Sequence, residues 1–135
     1  MQLVLDTNIV LDLLVFGDAA AQPVATGLAA GSLRWLATAS MREELARVLA
    51  YAKIAPRVSF HRGGADSVLA DFDRQAMLVE EPAKAGVTCG DADDQKFIDL
   101  AVAHRCLLLS KDRDVLRMKK RLALLQVTAT RALPQ

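Results

Sequence analysis

The chain has 135 residues, 53% of them hydrophobic, enough for about one ordinary globular domain, and residues 1–135 are expected to form one unit. Its formal charge of +1 gives no overall basic excess, so nucleic-acid binding has to rest on local patterning. Two cysteines, Cys89 and Cys106, lack C-x-x-C or Cys/His spacing, which argues against a disulfide scaffold or zinc site and fits a reducing cytoplasm.

The apolar stretch Leu3–Phe16 is broken by Asp6 and Asp12 and has no basic flank, so neither a signal peptide nor a membrane span is expected. Within it, Leu3-Val4-Leu5 is a short apolar run ended by Asp6-Thr7-Asn8, and Ile9 to Phe16 is periodic: a buried strand feeding a helix. A second helix is predicted from about Ala20 to Ala30, closed by Gly31, before a strand over Leu33–Thr38. Ser40 is the expected N-cap of a helix over Met41–Ala52, and Pro56 ends a connecting turn before a helix that stops near Phe60 to Gly64. Asp66 to Gln75 reads as a helix, Met77–Val79 as a strand, and Pro82 to Gly90 as a loop. Asp91–His104 is an amphipathic helix, Cys106–Leu109 an apolar strand, Arg113–Arg121 a helix begun by Asp112, and Leu124–Thr128 a last strand. This alternation predicts an α/β fold, a three-layer α/β/α sandwich with a central, mainly parallel sheet and functional residues beyond the strands' carboxyl ends.

Several carboxylates stand where such a fold makes them costly. Asp6 follows directly on an apolar strand; it reads either as a helix cap braced by Asn8 or as a site carboxylate that needs a partner. At 100° per residue, Met41, Leu45, Val48, Leu49 and Ala52 form one stripe with Glu44 at its edge, whereas Glu43 points away, within reach of Arg47. Asp94 sits on the face that carries Phe97 and Ile98; Asp91 and Asp93 read equally as caps. Asp112 either caps its helix or faces the crevice of Asp6, and the two roles are compatible. Four acids brought together repel one another unless a cation neutralises them. Oxygen-only ligands suit Mg²⁺ or Mn²⁺, and a few carboxylates holding such an ion leave positions open to phosphate oxygens, which points to phosphodiester chemistry. His61 and His104 need no part in it.

The order Val4-Leu5-Asp6-Thr7-Asn8, then Ser40 through Glu44-Leu45, then Asp91-Ala-Asp-Asp94 with Phe97 and Ala101, then Leu109-Ser-Lys-Asp112, resembles PIN-domain ribonucleases. The likeness runs from about residue 3 to 116 and is nearest to the small prokaryotic VapC-like toxins of toxin–antitoxin pairs. It implies an Mg²⁺- or Mn²⁺-dependent endoribonuclease whose acidic quartet is Asp6, Glu44, Asp94 and Asp112, with Asn8, Asp91, Asp93, Ser110 and Asp114 as auxiliaries. It also implies an RNA substrate, a cognate antitoxin and a homodimer. Ser110 stands where the family often has threonine, and Lys111 replaces a commonly small or neutral neighbour, there either to contact phosphate or to weaken metal binding. Two basic clusters are available for RNA: Arg113, Arg117, Lys119, Lys120 and Arg121, and separately Lys53, Arg57, His61 and Arg62. With few aromatic residues, no stacking platform is evident. The alternatives are a PIN-like domain that binds RNA or protein without cleaving, and a phosphatase with Asp6 as nucleophile, against which Asn8 counts because such enzymes place a second aspartate there.

Overall fold

A computed structural model describes residues 1–134. Five strands form one sheet: β1 (Gln2–Leu5), β2 (Arg34–Ala37), β3 (Ala76–Leu78), β4 (Leu107–Leu109) and β5 (Thr128–Thr130). Their order is β3-β2-β1-β4-β5 and every pairing is parallel. The helices are α1 (Thr7–Leu11), α2 (Gln22–Ala30), α3 (Ala39–Leu49), α4 (Ala55–Arg62), α5 (Ala65–Gln75), α6 (Gln95–His104), α7 (Arg113–Leu116) and α8 (Lys119–Leu124). Right-handed crossovers send the helices before β3 to one face and those after it to the other, which gives the expected α/β/α layering. The central strands are buried on both faces, so they read as unbroken apolar runs rather than as alternation.

The hydrophobic core continues from the sheet into the helices. Val10, Leu11, Leu14 and Val15 are buried within the chain itself. α1 runs on into a π-helical turn, Asp12–Phe16, which ends at Gly17 in the left-handed region (φ 60). Trp35 meets Phe72 edge to face at 5.0 Å, locking β2 to α5. Among the described residues no single helix is long and apolar enough to cross a membrane.

Some boundaries differ from expectation for local reasons. Thr38, not Ser40, caps α3: its hydroxyl accepts from the Met41 N–H, while Ser40 instead binds Glu81 through its N–H and hydroxyl. Pro56 lies inside the first turn of α4, where its missing N–H costs nothing. Helix α6 begins only at Gln95, after a 3₁₀ turn over Ala92–Asp94 capped by Asp91. The single helix predicted over Arg113–Arg121 is two, broken at Arg117 and Met118. Leu124 is exposed at the end of α8, and the last strand forms at Thr128–Thr130 after Gln126 turns through a positive φ of 66.

Leu108, fully buried in β4 and flanked by β1 and β5, tests this packing. Leu108→Ala is expected to lower the unfolding free energy in urea by about 3 kcal/mol. A loss below about 1 kcal/mol would mean that the sheet's centre is not close-packed.

Candidate metal centre

In this strand order the chain turns back between β1 and β4, and such a reversal opens a crevice beyond the strands' carboxyl ends. Asp6 is the first residue after β1 and Ser110–Asp112 follow β4, so the two loops meet at that crevice. Asp6 is only 2% exposed. Its carboxylate accepts the Ile9 N–H at 2.9 Å and the Ser110 hydroxyl at 2.5 Å, so it does cap α1, and a residue 104 positions away also holds it. Ser110 is fully buried, and its oxygen in turn accepts the Asp112 N–H at 3.0 Å. One hydroxyl therefore sets the position of two acids. Asp112 caps α7 through the Asp114 N–H at 2.8 Å.

Asp91, Asp94 and Asp112 each present one carboxylate oxygen, and these oxygens lie within 4.8 Å of one another. Asp94 and Asp91 belong to the same tight turn, in which Asp91 accepts from the Asp93 and Asp94 N–H groups. Burial, followed by the negative charges of Asp112 and Asp91, pushes the Asp94 carboxyl up to about 7. Burial also raises Asp6, opposed by the Ser110 and Ile9 hydrogen bonds. Among the described residues, one buried side-chain polar atom has no hydrogen-bond partner, Asp94 Oδ2, and no ion pair reaches Asp91, Asp94 or Asp112. Three hard oxygen donors, an orphaned buried oxygen and no internal counter-charge fit a divalent cation such as Mg²⁺ or Mn²⁺.

A cleft of about 640 Å³ opens over this group, lined by Asp6, Asn8, Glu44, Asp91, Asp93, Asp94 and Asp112 among others. The quartet expected from sequence thus faces one cleft, but unequally. Glu44 lines it while Glu43 is exposed elsewhere on α3. Glu44 nevertheless lies outside the close triad, with one oxygen bound to Lys96 at 2.6 Å and the other to the Thr7 hydroxyl. Asp91, expected only as an auxiliary, is inside the triad. Asn8 and Asp93 are exposed on the cleft wall, and Asp114 pairs instead with Arg117 at 3.4 Å. Lys111 turns away to bind the buried Asp12 at 2.5 Å, which anchors the Asp112 loop to the π-helical turn. Its charge still reaches the site, where it opposes the rise of the Asp6 carboxyl.

Of the two basic clusters, Lys53 lines the cleft, while Arg57 lies over the Phe16 ring and Arg62 binds Asp71 and the Leu14 carbonyl. Lys119, Lys120 and Arg121 are exposed on α8. Three residues with a bearing on the site escaped the sequence reading: Arg47 and Tyr51, which share the wall with Lys53, and Lys96. Arg47 stands three residues from Glu44, close to one helical turn, and that spacing was the available signal. Asn8 remains an exposed amide, and Asp6 has both oxygens engaged, an arrangement unsuited to an aspartate nucleophile with an acid two residues on.

The family model of the PIN domain matches residues 2–114. No curated protein matches the chain in sequence. Among solved structures, the crystal structure of VapBC2 from Rickettsia felis bound to a DNA fragment from its promoter contains a similar chain. The TM-score is 0.64 at 17% identity, over 96% of this chain and 98% of that one. With the family model matched over most of its length and acidic residues gathered where β1 and β4 end, the chain belongs to the PIN domain family.

Proposed function

We propose that the chain is a divalent-metal-dependent endoribonuclease, the toxin component of a toxin–antitoxin pair. The observation that carries this reading is the triad Asp91, Asp94 and Asp112 with its orphaned Asp94 oxygen, beside Asp6, in a cleft open to solvent. Membership in the PIN family supports the nuclease chemistry, and the likeness to a chain of a VapBC complex supports the toxin role and a cognate antitoxin protein as partner. The extent of the family match, with β5 completing the sheet beside β4, supports one PIN unit over 1–135, and the cytoplasmic location is carried over from the resemblance. The homodimer is carried over from the resemblance.

In this mechanism Asp91, Asp94 and Asp112 would hold Mg²⁺ or Mn²⁺, with Asp6 lining the same cleft. When bound, such an ion activates water and neutralises charge on the scissile phosphate. Ser110 fixes Asp6 and Asp112 in one frame, which lowers the reorganisation needed when substrate arrives. Arg47 and Lys53 line the same cleft and supply positive charge for the RNA backbone, and Tyr51, 55% exposed, offers a ring face to an unpaired base. The Asp94 carboxyl, raised to about 7 by burial and its acidic neighbours, would lose its proton more readily with a cation bound. A non-cleaving RNA- or protein-binding domain is the second reading; the engagement of both Glu44 oxygens favours it.

Labelled structured and single-stranded RNAs are expected to be cut with Mg²⁺ or Mn²⁺ and not with EDTA. Asp94→Asn should slow cleavage by about 100-fold or more, equivalent to about 3 kcal/mol of transition-state stabilisation. Cleavage unchanged by Asp94→Asn and Asp6→Asn would sink the assignment, and metal binding without cleavage of any RNA would favour the second reading.

The raised Asp94 carboxyl also makes stability depend on pH. Its folded-state pKa of about 7 lies above the unfolded carboxylate range, so its contribution is present in acid and is lost as the pH rises through 7. In EDTA, Asp94→Asn is therefore expected to raise the melting temperature at pH 8, with a gain that shrinks toward pH 5. An equal gain at both pH values would contradict the shift.

A further inference from the structure

The acids of the cleft are unevenly engaged. Asp91, Asp94 and Asp112 have no cationic side chain beside them among the described residues, but Glu44 does. Its Oε1 accepts from Lys96 Nζ at 2.6 Å, and its Oε2 accepts from the Thr7 hydroxyl. The same ammonium donates to the Asp93 carbonyl at 2.6 Å and lies 5.1 Å from the centroid of the Phe97 ring. The Lys96 and Glu44 side chains are only 24% and 15% exposed. This differs from a solvated surface pair, because the ammonium is fixed by a second acceptor and the carboxylate by a hydroxyl.

We propose that Lys96 is a built-in cation that keeps Glu44 out of the ion-binding group, so that the cleft takes one divalent ion, on Asp91, Asp94 and Asp112. The inference rests on the ion-dependent reading above. A part-buried carboxylate is stabilised by hydrogen-bond donors or by a nearby positive charge. Here α6 supplies that charge from the residue two places after Asp94, across to α3. With Lys96 in place, Glu44 makes no demand on a second ion. Without it, Glu44 would share the cleft with five aspartates and have no cationic partner, and a divalent ion would be the available counter-charge. Lys96 is thus a positioning residue that acts through Glu44.

Mn²⁺ titration of the full chain at neutral pH, followed by the electron paramagnetic resonance of free Mn²⁺, reads both stoichiometry and affinity, with circular dichroism to check folding. A single ion is expected in the wild type and in Lys96→Arg, and a second ion in Lys96→Met. Glu44→Gln should change the affinity by less than about 3-fold, whereas Asp94→Asn weakens it by about 10-fold or more, as loss of a ligand does. Two ions in the wild type, unchanged binding in Lys96→Met, or a loss in Glu44→Gln equal to that in Asp94→Asn would each overturn the inference alone. Absence of any bound Mn²⁺ would overturn the ion-dependent reading and the inference with it.

Discussion

Everything at the cleft depends on one costly placement, the carboxylate of Asp6 at the end of a strand that lies in the middle of the sheet. With β2 on one side and β4 on the other, Asp6 has little water to solvate its charge. Two donors meet that cost: the N–H of Ile9 from the helix that Asp6 itself caps, and the hydroxyl of Ser110 from the loop after β4. Ser110 also receives the Asp112 N–H, so the bond that makes Asp6 tolerable also places the next acid. The crevice geometry of a parallel sheet and the acid pair are consequently one feature rather than two.

Around that pair the fold balances charge in two ways. On the side of the 3₁₀ turn it leaves acids facing one another, and burial together with their negative charge raises the Asp94 carboxyl. At the edges it supplies ammonium groups: Lys96 to Glu44, and Lys111 to Asp12 behind the cleft. Negative charge is therefore concentrated on a few oxygens instead of being spread over every acid in the neighbourhood. This distinction between compensated and uncompensated acids is invisible in composition, where the chain is nearly neutral.

The sequence made the strand-to-aspartate junctions legible because burial on both faces leaves an unbroken apolar run, and an acid directly after it stands out. Leu3–Leu5 before Asp6 behaved this way, Cys106–Leu109 marked the strand that Asp112 follows three residues on, and helical phase separated Glu44 from Glu43. What escaped was decided by tertiary partners. Ser40 lost the capping role because Glu81, 41 residues on, takes its hydroxyl and N–H. The helix after Asp112 breaks where Met118 is buried, and the last strand follows the buried Val127 and Ala129 rather than the exposed Leu124. Lys96 looks like any solvated helix residue until α3 is brought against it, since Glu44 lies 52 positions earlier.

The bond between Ser110 and Asp6 spans most of the chain, and that span has a consequence during synthesis. Neither β4 nor the Asp112 loop exists until the chain has grown about 100 residues past Asp6, and the central strand β1 stays unpaired on that side until then. Contacts so distant in sequence form late and slowly. A nascent chain still attached to the ribosome therefore carries Asp6 without the acids that would complete its cleft. Whatever chemistry the finished site performs, the topology withholds it from the incomplete polypeptide and from the machinery that is making it.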